Sequence, residues 1–238
     1  MSDEKSLKYN EPWILQRADP YVYRHTDGSY YFTASVPAYD GIVLRRAGSL
    51  AELSGAEEVM VWKKHESGPM SYHIWAPEIH YLFGKWYIYF AGGEAEDIWK
   101  IRPYVLECSG DDPLTDEWVE LGKMKRAAED EFSFEAFSLD ATVFENKGEY
   151  YYVWAEKVGV GKMISNLYIA KMESGNQLKT VQVLLTTPDY DWERKGFWVN
   201  EGPAVIHHDG KMFLTYSASE TGVDYSVGML SIDEDADI

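Results

Sequence analysis

The sequence predicts an all-β fold of the propeller type, and three observations predict it. Four times along its 238 residues, about sixty residues apart, a carboxylate opens a short strand, a hairpin glycine turns it, and an aromatic strand follows. Turn signals such as Asp27-Gly28, Lys147-Gly148 and Asp209-Gly210 separate apolar runs. The helical period is nearly absent. A strand-built repeat of this length marks radial sheets around an axis, and it brings acids distant in sequence together in space.

The openings are Arg17-Ala18-Asp19-Pro20, Trp75-Ala76-Pro77-Glu78, Ser138-Leu139-Asp140-Ala141 and Asn200-Glu201-Gly202-Pro203. The hairpin glycines are Gly28, Gly84, Gly148 and Gly210. The strands that follow carry Tyr30-Tyr31-Phe32, Trp86-Tyr87-Ile88-Tyr89, Tyr150-Tyr151-Tyr152-Val153-Trp154 and Met212-Phe213-Leu214-Thr215-Tyr216. Residues 86–90 and 150–154 are almost wholly apolar, as strands covered on both faces should be. A blade has four strands, so two outer strands belong between repeats. They are expected at 41–45 and 59–62, at 104–107 and 118–121, and at 167–170 and 181–185. One helical turn is expected around Leu50-Ala51-Glu52-Leu53, and Glu129-Asp130-Glu131 reads as a solvated loop. No linker appears, so residues 1–238 read as one propeller domain. The fourth unit offers only 226–230 as an outer strand, which makes roughly three and a half blades where a closed ring needs at least four. The expectation is a C-terminal truncation, with a further segment or a second chain completing the ring.

Acids outnumber bases by 40 to 22, for a formal charge of −18. That field repels phosphate backbones and argues against nucleic acid. No run is long enough to span a membrane, and no apolar signal core opens the chain. Cytoplasmic residence and a mature secreted portion therefore both stay open. The single cysteine, Cys108, lies in a strand-like run and reads as a buried structural thiol. Nine Trp and 18 Tyr suit strands, and they suit a surface that stacks on ligand rings.

Four acids, Asp19, Glu78, Asp140 and Glu201, fall where inner strands open on a common face. Crowded like charges raise one another's pKa and destabilise the fold, so gathering them points to chemistry. The alternative is chance placement on solvated loop ends. Glycoside hydrolysis needs a protonated acid at the leaving oxygen and an ionised partner across the sugar. A third carboxylate can hold the acid's proton on it. Glu201, between Trp198-Val199 and Pro203-Ala204-Val205, has the apolar setting of an acid. Asp19, close after Arg17, has a cation to keep it ionised as a base.

In this order and spacing the four openings resemble glycoside hydrolase family 43, five-bladed propeller enzymes acting on arabinose- and xylose-containing polysaccharides. The resemblance runs from about Tyr9 to the C-terminus. It implies single-displacement hydrolysis with inversion, Asp19 as general base, Glu201 as general acid, and Asp140 tuning and orienting that acid. Inversion requires base and acid about 6.5–9.5 Å apart. The stretches Tyr30-Tyr31-Phe32-Thr33-Ala34-Ser35-Val36-Pro37, Trp75-Ala76-Pro77-Glu78-Ile79-His80 and Tyr190-Asp191-Trp192-Glu193 look closest to exo-acting α-L-arabinofuranosidases that trim α-1,5-linked arabinan. β-Xylosidase and endo-arabinanase activities share the core motifs. A non-catalytic carbohydrate-binding or partner-completed propeller fragment is the alternative from another class. The expected partner is an oligosaccharide from arabinan or arabinoxylan. Hydrolysis of this kind requires no cofactor, and the resemblance allows a structural calcium or other ion at the axis.

Five residues are candidates for substrate binding: Trp75, Glu78, Tyr39, His73 and Asn200. Trp75 offers an apolar platform for the terminal sugar, against packing between blades. Tyr39, with Asp40 in a turn after the first hairpin, could hydrogen-bond a sugar hydroxyl, against an ordinary surface turn, and His73, close to Trp75 in sequence, is a candidate subsite residue. Glu78 and Asn200 belong to the opening motifs. His207-His208 reads as a solvated hairpin rather than a metal site. Gly159-Val160-Gly161-Lys162 lacks the spacing of a phosphate loop, and no Gly-x-Ser-x-Gly elbow appears.

Overall fold

A computed structural model describes residues 12–160 and 162–238. The polar stretch 1–10 and Gly161 lie outside the described residues. Three sheets hold the strands. The first unit runs β1 (Ala18–Arg24), β2 (Tyr30–Ser35), β3 (Gly41–Ala47) and β4 (Val59–Lys63), paired in chain order. The second runs β5 (Tyr72–Leu82), β6 (Lys85–Glu94), β7 (Asp97–Cys108) and β8 (Val119–Lys123). The third contains β9 (Ser138–Asn146), β10 (Glu149–Val160), β11 (Lys162–Ser174), β12 (Gln177–Leu178) and β13 (Val183–Thr186). The fourth contains β14 (Trp198–His208), β15 (Lys211–Ala218) and β16 (Ser226–Asp233). These antiparallel meanders are the blades that the repeat predicted. One joint was not predicted: β11 pairs with β14 in parallel at Ile164↔Trp198 and Ser165↔Val199, merging the third and fourth blades into one sheet.

The hairpins form because their turns accept left-handed backbone. At Lys147-Gly148 both residues have positive φ, 52° and 78°, the pattern of a two-residue turn whose twist matches the strands. Phe83-Gly84 and Asp209-Gly210 repeat it. The aromatic strands then face both ways. Trp86, Ile88 and Phe90 pack with Tyr31, Ile42 and Leu44 of the first blade. Tyr87 and Tyr89, one residue out of phase, pack with Tyr152 and Trp154 of the third. Alternation along one strand thus joins three blades, which is why the strand reads as a continuous apolar run. Val153, Leu167 and Ile169 meet Leu214 and Tyr216 at the next interface.

The expected helical turn is a 3-10 helix, Leu50–Gly55. Cys108 is buried, and burial pushes its thiol pKa up. The loop at 129–131 departs from expectation at its centre. Asp130 is buried because its carboxylate accepts the backbone N–H groups of Phe132 and Ser133, at 2.8 and 3.0 Å, and so ties the loop together.

The feature that positions the site is a β-bulge, present at the same place in all four innermost strands. In each, two residues oppose one on the partner. Asp19-Pro20 oppose Ala34, Ala76-Pro77 oppose Phe90, Asp140-Ala141 oppose Trp154, and Gly202-Pro203 oppose Tyr216. The first residue of every bulge has left-handed φ: Asp19 50°, Ala76 44°, Asp140 49° and Gly202 58°. Three of the four second residues are proline, which lacks the N–H that the ladder cannot use there. Bulges re-aim side chains and are common beside active sites.

The repeated unit is therefore the bulge and not the carboxylate. Asp19 and Asp140 occupy its first position, Glu201 lies one residue before it, and Glu78 lies two residues after. The sequence pattern puts all four acids in the same four-residue window, at one common position of the repeat. The structure corrects that. Glu78 sits one pleat further along the inner strand, in a row with Tyr21, Thr142 and Ala204.

Candidate active site

The bulged ends of β1, β5, β9 and β14 surround a cavity of about 400 Å³. Asp19, Tyr21, Ala76, Glu78, Asp140, Gly202, Ser217 and Tyr225 are among its lining residues. Glu201 stands beside it, with its Oε1 accepting from the Tyr225 hydroxyl at 2.9 Å. Four segments far apart in sequence thus place Asp19, Asp140 and Glu201 around one hollow.

Each acid has a distinct setting. Asp19 is exposed on the cavity wall, where the Ser35 hydroxyl donates to its Oδ2 at 2.7 Å. The Ser35 oxygen in turn accepts the N–H of Ala76 at 2.8 Å, so a strand of the second blade holds the hydroxyl that holds the acid. The other oxygen of Asp19 meets no protein donor among the described residues, which leaves it open to water. The cation expected beside Asp19 is not there. Arg17 turns its guanidinium to Glu58, which Arg45 also reaches at 3.1 Å. Ser35 supplies the polar contact instead.

Asp140 is the most perturbed of the three. Burial pushes its pKa far up, and the charges of Glu201, Asp19 and Glu78 push the same way. The backbone N–H of Gly202 opposes this by donating to Oδ2 at 3.1 Å. That bond ties Asp140 to the residue after Glu201. Glu201 is also raised, first by burial and then by the charge of Asp19, while Tyr225 and Lys157 pull it down. Lys157 sits with its ammonium 3.8 Å from the centre of the Phe137 ring, so burial lowers its own pKa. Two carboxylates therefore hold protons more tightly than usual beside an exposed third. Replacing Ser35 by alanine removes the hydroxyl that orients Asp19. S35A is expected to lower kcat about tenfold with KM little changed, since one hydrogen bond to the Asp19 carboxylate is lost away from the sugar; steady-state kinetics check it.

Glu78 lines the cavity but is engaged. Its Oε2 meets Nε2 of His80 at 2.9 Å, and Nδ1 of His80 meets the Tyr21 hydroxyl at 3.3 Å. Burial raises the Glu78 pKa against the pull of His80 and Thr142. Trp75, Tyr39 and His73 form one aromatic group beside the cavity, next to its lining residue Ala76, with His73 and Trp75 ring centres 4.2 Å apart and Tyr39 6.0 Å from Trp75. Asn200 requires correction. It is fully buried, and its Nδ2 reaches Glu193 Oε1 at 3.3 Å and Thr186 Oγ1 at 3.4 Å. Strand alternation turns it away from the face that Glu201 presents. It braces the strand and does not line the cavity.

Among the described residues, no group of three or more His, Cys, Asp or Glu is arranged to hold a metal ion. Sequence reasoning missed Ser35, Tyr225, His80 and Lys157. Ser35 ends the strand paired with β1, so a hairpin register would have found it. Tyr225 follows a loop after β15, and nothing local marks it.

Residues 9–237 match the sequence profile of Glycosyl hydrolases family 43. The chain belongs to that family. It is 48% identical over 225 residues to an extracellular exo-alpha-(1->5)-L-arabinofuranosidase of Streptomyces chartreusis, covering 94% of this chain and 67% of the relative. It is 44% identical to alpha-L-arabinofuranosidase 43 of Humicola insolens, covering 98% of this chain and 47% of that one. A crystal structure of alpha-L-arabinofuranosidase from Lactobacillus brevis superimposes with a TM-score of 0.86 at 51% identity, covering 96% of this chain and 71% of the other. This family-43 chain thus spans between about half and two thirds of the curated relatives it matches.

Proposed function

We propose that the protein is an inverting glycoside hydrolase that releases L-arabinofuranose from the ends of α-1,5-linked arabinan or arabino-oligosaccharides. The observation that carries this is the convergence of Asp19, Asp140 and Glu201 on one sugar-sized cavity, with two of the three protonated more readily than usual. The names of the Streptomyces and Lactobacillus relatives favour arabinose over xylose and exo over endo attack.

In this reading the open oxygen of Asp19 takes a proton from water, which attacks the anomeric carbon. Glu201, kept protonated by burial, gives its proton to the leaving oxygen. Asp140 accepts the amide N–H of Gly202, the residue after Glu201, and so orients and tunes the acid. Tyr225 fixes one oxygen of Glu201. Trp75, with Tyr39 and His73, forms the apolar side of the site, and Glu78 with His80 and Tyr21 closes the floor.

The test follows hydrolysis of debranched α-1,5-linked arabinan by proton NMR. Release of arabinose alone, appearing first as the β anomer, is expected. Initial appearance of the α anomer would contradict inversion, longer products would indicate endo attack, and no release from folded protein would favour a binding role.

A further inference from the structure

The rim of the site carries more aromatic surface than one sugar needs. Trp75 is followed by Ala76 on the cavity wall, and it packs beside Leu139, the neighbour of Asp140. Outward from Trp75 the rings continue. His73 lies 5.2 Å from Trp99, Trp75 lies 6.4 Å from Trp99, and Tyr72 lies 4.4 Å from His73. Trp99 is 61% exposed, Tyr72 40% and Tyr39 39%.

Topology puts these rings on the catalytic face. Trp99 stands near the start of β7, just after the β6–β7 turn, and the start of β5 lies at the same end of the blade. A second bulge, in which His73 and Ile74 oppose Gly92, gives His73 a left-handed φ of 49°. Among the described residues, the buried Nε2 of His73 has no partner. Burial lowers the pKa of its imidazole.

A contiguous exposed aromatic surface marks a binding site more often than it marks packing. Its chemistry narrows the ligand. The nearby Lys100 and Glu94 neutralise each other at 2.9 Å, and Glu96 is held by the Gly68 amide. Among the described residues no cluster of cations faces the rings, and the whole chain is strongly acidic. Anionic ligands are therefore disfavoured. Flat apolar rings suit a neutral sugar, whose C–H face stacks on them.

We propose that Trp99, with His73, Trp75 and Tyr39, forms a shelf that holds one further furanose ring of a neutral oligosaccharide outside the cavity. The inference rests on the reading of the cavity as an arabinose site. Trp99 then sets the preference for oligosaccharides over short glycosides, without touching the reacting atoms.

The experiment compares W99A with the unsubstituted protein on arabinotriose and on 4-nitrophenyl α-L-arabinofuranoside. The ratio of kcat/KM for the trisaccharide to that for the aryl glycoside is expected to fall about tenfold in W99A, and W99F should restore part of it. An unchanged ratio, or an equal fall on both substrates, overturns the shelf. Thermal melting confirms that the variant is folded. If the unsubstituted protein hydrolyses neither substrate, the hydrolase reading fails, and titration with arabinotriose followed by tryptophan fluorescence reads the shelf separately. Saturable binding weakened about tenfold in W99A then supports it. Binding that W99A leaves intact, or binding absent from both proteins, overturns it.

Discussion

Replacing Glu201 by glutamine is expected to slow arabinotriose hydrolysis about a thousandfold or more, yet to slow release of 4-nitrophenol from its α-L-arabinofuranoside only about tenfold. The difference follows from what each leaving group requires. A sugar alkoxide departs only with a proton supplied, whereas a nitrophenolate departs without one. Glutamine keeps the shape of Glu201 and still accepts from Tyr225, but it has no proton to give. D19N is the contrast. Activation of water is needed whatever leaves, so D19N should lose about a thousandfold on both substrates. Paired kinetics of the two variants separate acid from base. Equal losses on both substrates for E201Q would remove Glu201 from the acid's role, and near-normal activity of D19N would remove Asp19 from the base's.

Replacing Asp140 by asparagine should abolish most turnover while stabilising the protein. Its carboxyl is buried beside three other acids, and its pKa stands far above the ordinary carboxylate range. The folded state therefore binds this proton more tightly than the unfolded chain does. That stabilisation is fully present below the unfolded pKa and is lost as pH rises through the folded value. Above it, the fold carries a charge that burial and its neighbours disfavour. Asparagine removes the charge, accepts the Gly202 amide through its oxygen, and tolerates the left-handed φ of 49°. Each pKa unit is worth about 1.4 kcal/mol. D140N is therefore expected to melt about 2–4 °C higher at neutral pH. The gain should vanish in acid, where both proteins are uncharged at this position. A melting temperature lowered at neutral pH would mean that the Asp140 charge supports the fold.

Much of the chain was legible because strand chemistry is local. Lys147-Gly148 announces a turn whichever blade it serves, and the apolar run at residues 86–90 already implies a strand covered on both faces. The three acids were legible because no packing argument puts Asp or Glu at the end of an inner strand. Asp130 was misread because two backbone amides at short range outweigh the polarity of its neighbours. Arg17 was misread because proximity in sequence does not decide which carboxylate a long side chain reaches. Asn200 was misread because its motif is shared with Glu201, while neighbouring residues in a strand face opposite ways.

From the order of its residues alone, this chain specifies a repeating all-β fold, the three carboxylates, and the family to which it belongs. Tertiary structure decided how the acids differ. The common bulge places Asp19 and Asp140 at one level, Glu201 a residue before it and Glu78 a pleat beyond. Contacts within and across blades then give each acid its own environment: Ser35 for Asp19 and Tyr225 for Glu201 within a blade, the Gly202 amide for Asp140 and Lys157 for Glu201 across blades. Proton affinity depends on burial and on neighbours within a few ångströms, and those neighbours come from segments distant in sequence that meet only in the folded protein.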